Sequence, residues 1–176
     1  RTLKIKKIVV PNSKVVNNKK IKINNKKNYL LYMGRIAKNK NINFMIDTIN
    51  LLNKQFTKKF DFLIIGPDYG ERENLILKIN SLNLQKQIKI FKPIYSADRL
   101  SYIKNCKALL LASDYECNSM VVAEALSLGV LVISSKECNT EEIAKYGACI
   151  TIDKNEEVFV KNIKKAFSYD YYKKIQ

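Results

Sequence analysis

From Tyr29 onward, short and almost uninterrupted apolar runs alternate with stretches of helical periodicity, and this rhythm leaves few folds open. Strand-length runs lie at 29–33, 60–65, 88–91, 108–111, 131–134 and 149–152, with helical patterns at 42–54, 71–80, 97–105, 119–128, 141–145 and 156–167. A strand that is apolar on both sides needs cover on both faces, which a parallel sheet wound with helices provides. The pattern predicts an α/β fold, a Rossmann-like, doubly wound parallel sheet of about six strands. Its length of 176 residues suits one domain. Residues 28–168 are expected to carry that domain. Residues 1–27 read as a basic interdomain connector able to hold one extra strand, and 169–176 as an aromatic tail.

Several classes of function are excluded by what the chain lacks. It has no histidine, which removes Ser-His-Asp and Cys-His catalysis and histidine-bound metals. Cys106, Cys117, Cys138 and Cys149 form no C-x-x-C pair and read as reduced thiols of a cytoplasmic protein. No apolar stretch reaches the ~20 residues of a bilayer span, and residues 1–10 do not resemble a signal peptide.

Net charge is +16, and residues 1–46 supply +13 of it, because no acidic side chain precedes Asp47. Such a basic arm suits an anionic membrane surface, a nucleic acid or an acidic partner, while a solvated lysine-rich face needs no partner at all.

Ligands of open α/β sheets bind beyond the carboxyl ends of the strands, so the residues there are read first. Gly34, Arg35 and Lys40 follow the first strand, Gly66, Pro67 and Asp68 the second, and Lys92 and Pro93 the third. The polar loop 113–118 follows the fourth and contains Glu116. Arg35 and Lys40 together suit a diphosphate, one as a planar fork and the other as a point charge. Taken alone, Lys40 is one more surface lysine, whereas Arg35 is one of only four arginines. Glu124 interrupts an otherwise apolar helix. It is either a buried carboxylate that requires a partner or one exposed helix edge. Ser119 stands at the amino end of that helix, as a plain cap or as a phosphate contact.

These residues also carry a family resemblance. The segments YLLYMGRIAKNKNINFMIDTINLL (29–52), LIIGPDYGERENL (63–75), IKIFKPI (88–94) and SDYECNSMVVAEALSLGVLVIS (113–134) resemble the carboxyl-terminal, nucleotide-sugar-binding half of retaining glycosyltransferases of family 4. Those enzymes have the two-domain GT-B fold. The resemblance spans about residues 8–152 and rests on the order of its motifs more than on any single one.

The resemblance implies that Gly34, Arg35 and Lys40 hold the donor diphosphate, with Arg35 and Lys40 stabilising the leaving group. It places Glu116 beside the donor sugar and Glu124 at the ribose hydroxyls. Backbone N–H groups of Ser119 and Met120 meet phosphate, and the stretch from Lys92 to Ile94 meets the base. No metal or other cofactor is implied; the donor is a nucleoside diphosphate sugar, with UDP as first choice. The acceptor would be a growing surface polysaccharide, lipopolysaccharide or glycolipid, bound through an amino-terminal domain that these residues do not contain. A location in the cytoplasm, at the inner face of the plasma membrane, would follow.

Two departures bear on loop shape and sugar choice. Asn41 stands where the family usually has glycine, and Cys117, Asn118 and Ser119 replace a Gly-aromatic-Gly run. The competing reading is a binding module without catalysis, holding either a nucleotide or, through residues 1–46, nucleic acid. Joint presence of Arg35, Lys40, Glu116 and Glu124 argues against the first form, and nucleic acid is the less favoured partner.

Overall fold

The computed structural model describes residues 28–57, 59–96, 98–117, 119–145 and 149–167. The proposed connector, the tail and the expected positions of Ala97 and Asn118 lie outside them. Six strands form one sheet: β1 (Tyr29–Met33), β2 (Asp61–Ile65), β3 (Ile88–Phe91), β4 (Ala108–Leu111), β5 (Val132–Ser135) and β6 (Cys149–Ile152). Their order is β3-β2-β1-β4-β5-β6, with every pairing parallel. The predicted α/β class and strand number are therefore found, and no element bound is displaced by more than one residue.

Helices α1 (Ile42–Gln55), α2 (Arg72–Ser81) and α6 (Glu156–Ala166) cover one face of the sheet. The other face carries α3 (Asp98–Asn105), α4 (Met120–Ser127) and α5 (Glu141–Ala144). Strand β1 shows why its sequence lacks alternation. Leu30 and Tyr32 enter the first layer while Tyr29, Leu31 and Met33 enter the second, and all five are buried. Burying a large apolar side chain contributes roughly 1.5–3 kcal/mol, so the two-sided burial of the central strands dominates what holds the layers together. Among the described residues, no helix is long and apolar enough to cross a membrane.

Two short 3-10 turns that periodicity does not reveal follow β1 and β5, at Lys38–Lys40 and Lys136–Cys138. Each ends on a left-handed asparagine, Asn41 (φ 50°) and Asn139 (φ 52°), a conformation that asparagine tolerates better than most residues.

The order in which strands are added reverses between β1 and β4, where loops diverge and leave a crevice. Beyond β1 and β2 the backbone stays zipped. Gly34 N–H donates to Ile65 O at 3.0 Å, Ile36 N–H to Pro67 O at 2.8 Å and Tyr69 N–H to Ile36 O at 2.8 Å. This approach requires glycine at position 66, since a Cβ there would lie 1.7 Å from Gly34 O. Gly66→Ala is expected to destabilise the fold by about 1–3 kcal/mol through overpacking against backbone. Thermal unfolding would register this as a fall of several degrees in Tm, about 2–4 °C per kcal/mol at this chain length.

Candidate functional site

The loops beyond β1, β2, β3 and β4 line a cavity of about 490 Å³, a size that accommodates a small organic ligand. Its wall includes Gly34, Arg35, Lys40, Ile94, Glu116, Ser119 and Met120, seven of the nine residues expected from sequence. Lys92 is exposed outside it, and Glu124 lies behind it.

Lys40 is not a surface lysine. It is 6% exposed, and its Nζ donates to Glu116 Oε1 at 2.6 Å. Charged lysine is tolerated at such depth only when paired, and this bond joins the loop after β1 to the loop after β4. Ser113 Oγ donates to the same carboxylate oxygen at 2.9 Å, a second fixing point for Glu116. Ser113 was absent from the expected site; its place in the polar loop, three residues before Glu116, was the available signal.

Arg35 is held differently. Tyr32 donates its hydroxyl to the Arg35 carbonyl at 2.7 Å, and the guanidinium stands 5.5 Å from the centre of the Tyr69 ring. Burial raises the Tyr32 phenol far above its ordinary range, with the Glu116 charge adding to the shift, so it remains a donor. Among the described residues Arg35 forms no ion pair, leaving a partly stacked cation on the cavity wall.

Glu124 resolves the two alternatives left open by periodicity. It is fully buried, and Arg99 grips it bidentately, Nη1 to Oε1 at 2.7 Å and Nη2 to Oε2. Arg99 was not anticipated, although the argument from rarity that singled out Arg35 applies equally to it. Ser119 precedes α4, but its hydroxyl makes no capping bond; its carbonyl accepts from Val122 and Ala123 N–H at 3.1 and 3.2 Å. The amino end of α4 therefore faces the cavity at Ser119 and Met120 without a side-chain cap.

The loop carrying Glu116 is clamped on both sides. Asn41 Nδ2 donates to Ala112 O at 2.9 Å and to Asp114 Oδ1 at 2.5 Å, and Asp114 N–H donates to Asn39 O at 2.9 Å. From the other side, Asn139 Nδ2 donates to Glu116 O at 2.6 Å and Glu116 N–H to Glu137 O at 3.3 Å. The departure at Asn41 is thus reconciled, because asparagine supplies the positive φ that glycine would and adds an anchor. Hydrogen bonds from Lys154 and then Asn41 hold the Asp114 carboxyl below its ordinary range.

The profile of the family described as Glycosyl transferases group 1 matches residues 14–174. The capsular polysaccharide biosynthesis glycosyltransferase CapH of Staphylococcus aureus is 29% identical over 122 residues, 68% of this chain and 33% of CapH. The chain thus spans about a third of that relative's length. Among solved structures, a mutant of Staphylococcus aureus TarM in complex with fondaparinux, α-GlcNAc-glycerol and UDP superposes with a TM-score of 0.76 at 15% identity, covering 92% of this chain and 32% of that one. The C-terminal domain of the group 1 protein LpcC of Francisella tularensis gives 0.69 at 21% identity, covering 86% of this chain and 83% of that one.

Asn41→Ala is expected to destabilise the chain by about 1–2 kcal/mol, because alanine lacks the polar side chain that makes a left-handed asparagine tolerable and loses the anchor as well, while Asn41→Gly keeps the conformation and loses only the anchor. Denaturant unfolding of the two variants measures the difference. The depressed Asp114 carboxyl contributes stability above the unfolded carboxylate range, and that contribution is lost as pH falls through its lowered folded value. The gap between wild type and Asp114→Asn should therefore close on acidification.

Proposed function

Because the chain belongs to the glycosyl transferases group 1 family, we propose that it is the carboxyl-terminal, donor-binding domain of a retaining family 4 glycosyltransferase. In this reading the cavity at the β1/β4 crevice receives a nucleoside diphosphate sugar, with UDP the first choice of nucleotide. The observation that carries it is the gathering of Arg35, Lys40, Glu116 and the uncapped amino end of α4 around one cavity of about 490 Å³. Cations and free backbone N–H groups on one wall are what a diphosphate demands.

The roles follow from charge and position. Arg35 neutralises the diphosphate and stabilises it as the leaving group when the bond to the sugar breaks, and Lys40 adds a donor from its buried pair. Glu116, fixed by Lys40 and Ser113, stands beside the donor sugar, where a carboxylate favours the positive charge that develops at the anomeric carbon. Gly34 lets the backbone approach the phosphates, and Ser119 and Met120 offer N–H groups to them. Glu124 serves the nucleoside end, with Ile94 and Lys92 toward the base. No divalent metal takes part, since Arg35, Lys40 and the helix amino end carry the charge compensation. The acceptor, a growing surface polysaccharide, lipopolysaccharide or glycolipid, is bound by a further domain at the cytoplasmic membrane face. CapH supports the polysaccharide class, and the TarM complex with UDP supports the nucleotide.

Titration calorimetry with UDP, GDP and ADP tests this reading. One nucleotide should bind selectively, and Arg35→Ala should weaken it by about tenfold or more, the loss of a charge-assisted contact. A folded chain that binds none of the three overturns the proposal. The chain by itself should transfer no sugar from a UDP-sugar, and robust turnover would contradict the need for an acceptor domain.

A further inference from the structure

Arg35 is a cation on the cavity wall with no carboxylate partner among the described residues, whereas Lys40 is paired with Glu116 and Arg99 with Glu124. What holds its guanidinium is a ring. The Arg35 Cζ lies over Tyr69, 5.5 Å from the ring centroid and inside the ~6 Å range of a cation–π contact.

The two kinds of partner leave an arginine in different states. A carboxylate accepts N–H hydrogens from the guanidinium fork and neutralises its charge, as Glu124 does for Arg99. An aromatic face attracts the cation through its quadrupole and carries no charge of its own. Arg35 therefore keeps its full charge and its N–H donors for a ligand.

Tyr69 is placed by main-chain bonds that do not depend on its side chain. Its N–H donates at 2.8 Å to the carbonyl of Ile36, the residue next to Arg35, and Ile36 pairs with Asp68 across the two loops. Asp68 Oδ1 accepts from the N–H groups of Gly70, Glu71 and Arg72 at 3.0, 3.1 and 3.1 Å, which closes the turn on the other side. The Tyr69 ring stands on this frame, and the residue is 59% exposed. Arg35 is anchored at its carbonyl by the Tyr32 hydroxyl, so the freedom it retains lies mainly in its long side chain. Ordering such a side chain is a cost of binding, and a contact already made in the free protein lowers that cost.

We propose that Tyr69 is a positioning residue of this site, a platform that holds the Arg35 guanidinium at the cavity wall with its donors ready for the diphosphate. This rests on the nucleotide-binding reading above. It brings the loop after β2 into a site whose other charged groups come from the loops after β1 and β4 and from α3.

The test is calorimetry with whichever of UDP, GDP and ADP binds the wild-type chain most tightly, on Tyr69→Phe, Tyr69→Leu, Tyr69→Ala, Arg35→Ala and the double variant Arg35→Ala/Tyr69→Leu, each checked for cooperative unfolding. Phenylalanine keeps the π face and should bind as wild type does. Leucine keeps bulk without that face, and both it and alanine should lose about two- to fivefold in affinity, the size of an exposed cation–π contact. Should Tyr69→Ala fail to fold, Tyr69→Leu carries the comparison. The double variant should bind as weakly as Arg35→Ala and no more weakly, a coupling that a purely structural role for the ring would not produce. Wild-type affinity in Tyr69→Leu overturns the proposal, as does a loss in Tyr69→Phe equal to that in Tyr69→Leu. A Tyr69→Leu loss that persists in full without Arg35 also overturns it, because the ring would then be a ligand contact in its own right. Failure of wild type to bind any of the three nucleotides removes this proposal together with the donor-site reading, whereas wild-type binding indifferent to Tyr69 removes this proposal alone.

Discussion

A lysine buried at 6% exposure is acceptable only beside a carboxylate, and much of the site follows from meeting that condition. The bond from Lys40 to Glu116 spans 76 positions of sequence and crosses between β1 and β4, where the sheet's winding reverses. It fixes the loop that presents Arg35 against the loop that presents Glu116. Removing Glu116 would leave Lys40 as an uncompensated buried charge, so the pair acts as a registration device whatever its net contribution to stability. The zipped backbone beyond β1 and β2 and the two asparagine clamps complete the crevice around it.

The architecture was legible because its cause is local. Runs such as Leu30 to Met33 are apolar on both faces, and only a sheet covered twice accommodates them. Five cavity-lining residues, Gly34, Arg35, Lys40, Glu116 and Ser119, were legible for a related reason: the carboxyl ends of parallel strands converge, so position along the chain converts into position in space, whereas Ile94 and Met120 rested on the family resemblance. Periodicity could not decide where Glu124 points, since a lone acid on a short helix fits either a buried or an exposed face. That decision was made by Arg99, 25 positions earlier on a different helix, a contact with no trace in local pattern. Lys40 was misleading in the opposite direction, hidden among many lysines until the fold placed it against Glu116.

Two of the left-handed asparagines show a second limit of local reading. Asn41 and Asn139 sit in a chain rich in asparagine, where composition drowns their significance. Their role emerges only when both are seen to end a 3-10 turn and to reach the same loop from opposite sides. The same geometry explains how the expected glycine at position 41 could be replaced without loss of the turn.

The clamps on the loop after β4 have one further consequence. Most of their bonds run to main-chain atoms: the carbonyls of Ala112 and Glu116 and the amides of Asp114 and Glu116. A loop secured through its backbone keeps its course whatever side chains it displays. Tyr115 and Cys117, exposed within it and in contact with each other at 2.9 Å, are therefore interchangeable parts mounted on a fixed frame. Frame and display are separated within a few residues, so the exposed side chains can change while the carboxylate at Glu116 stays where it is.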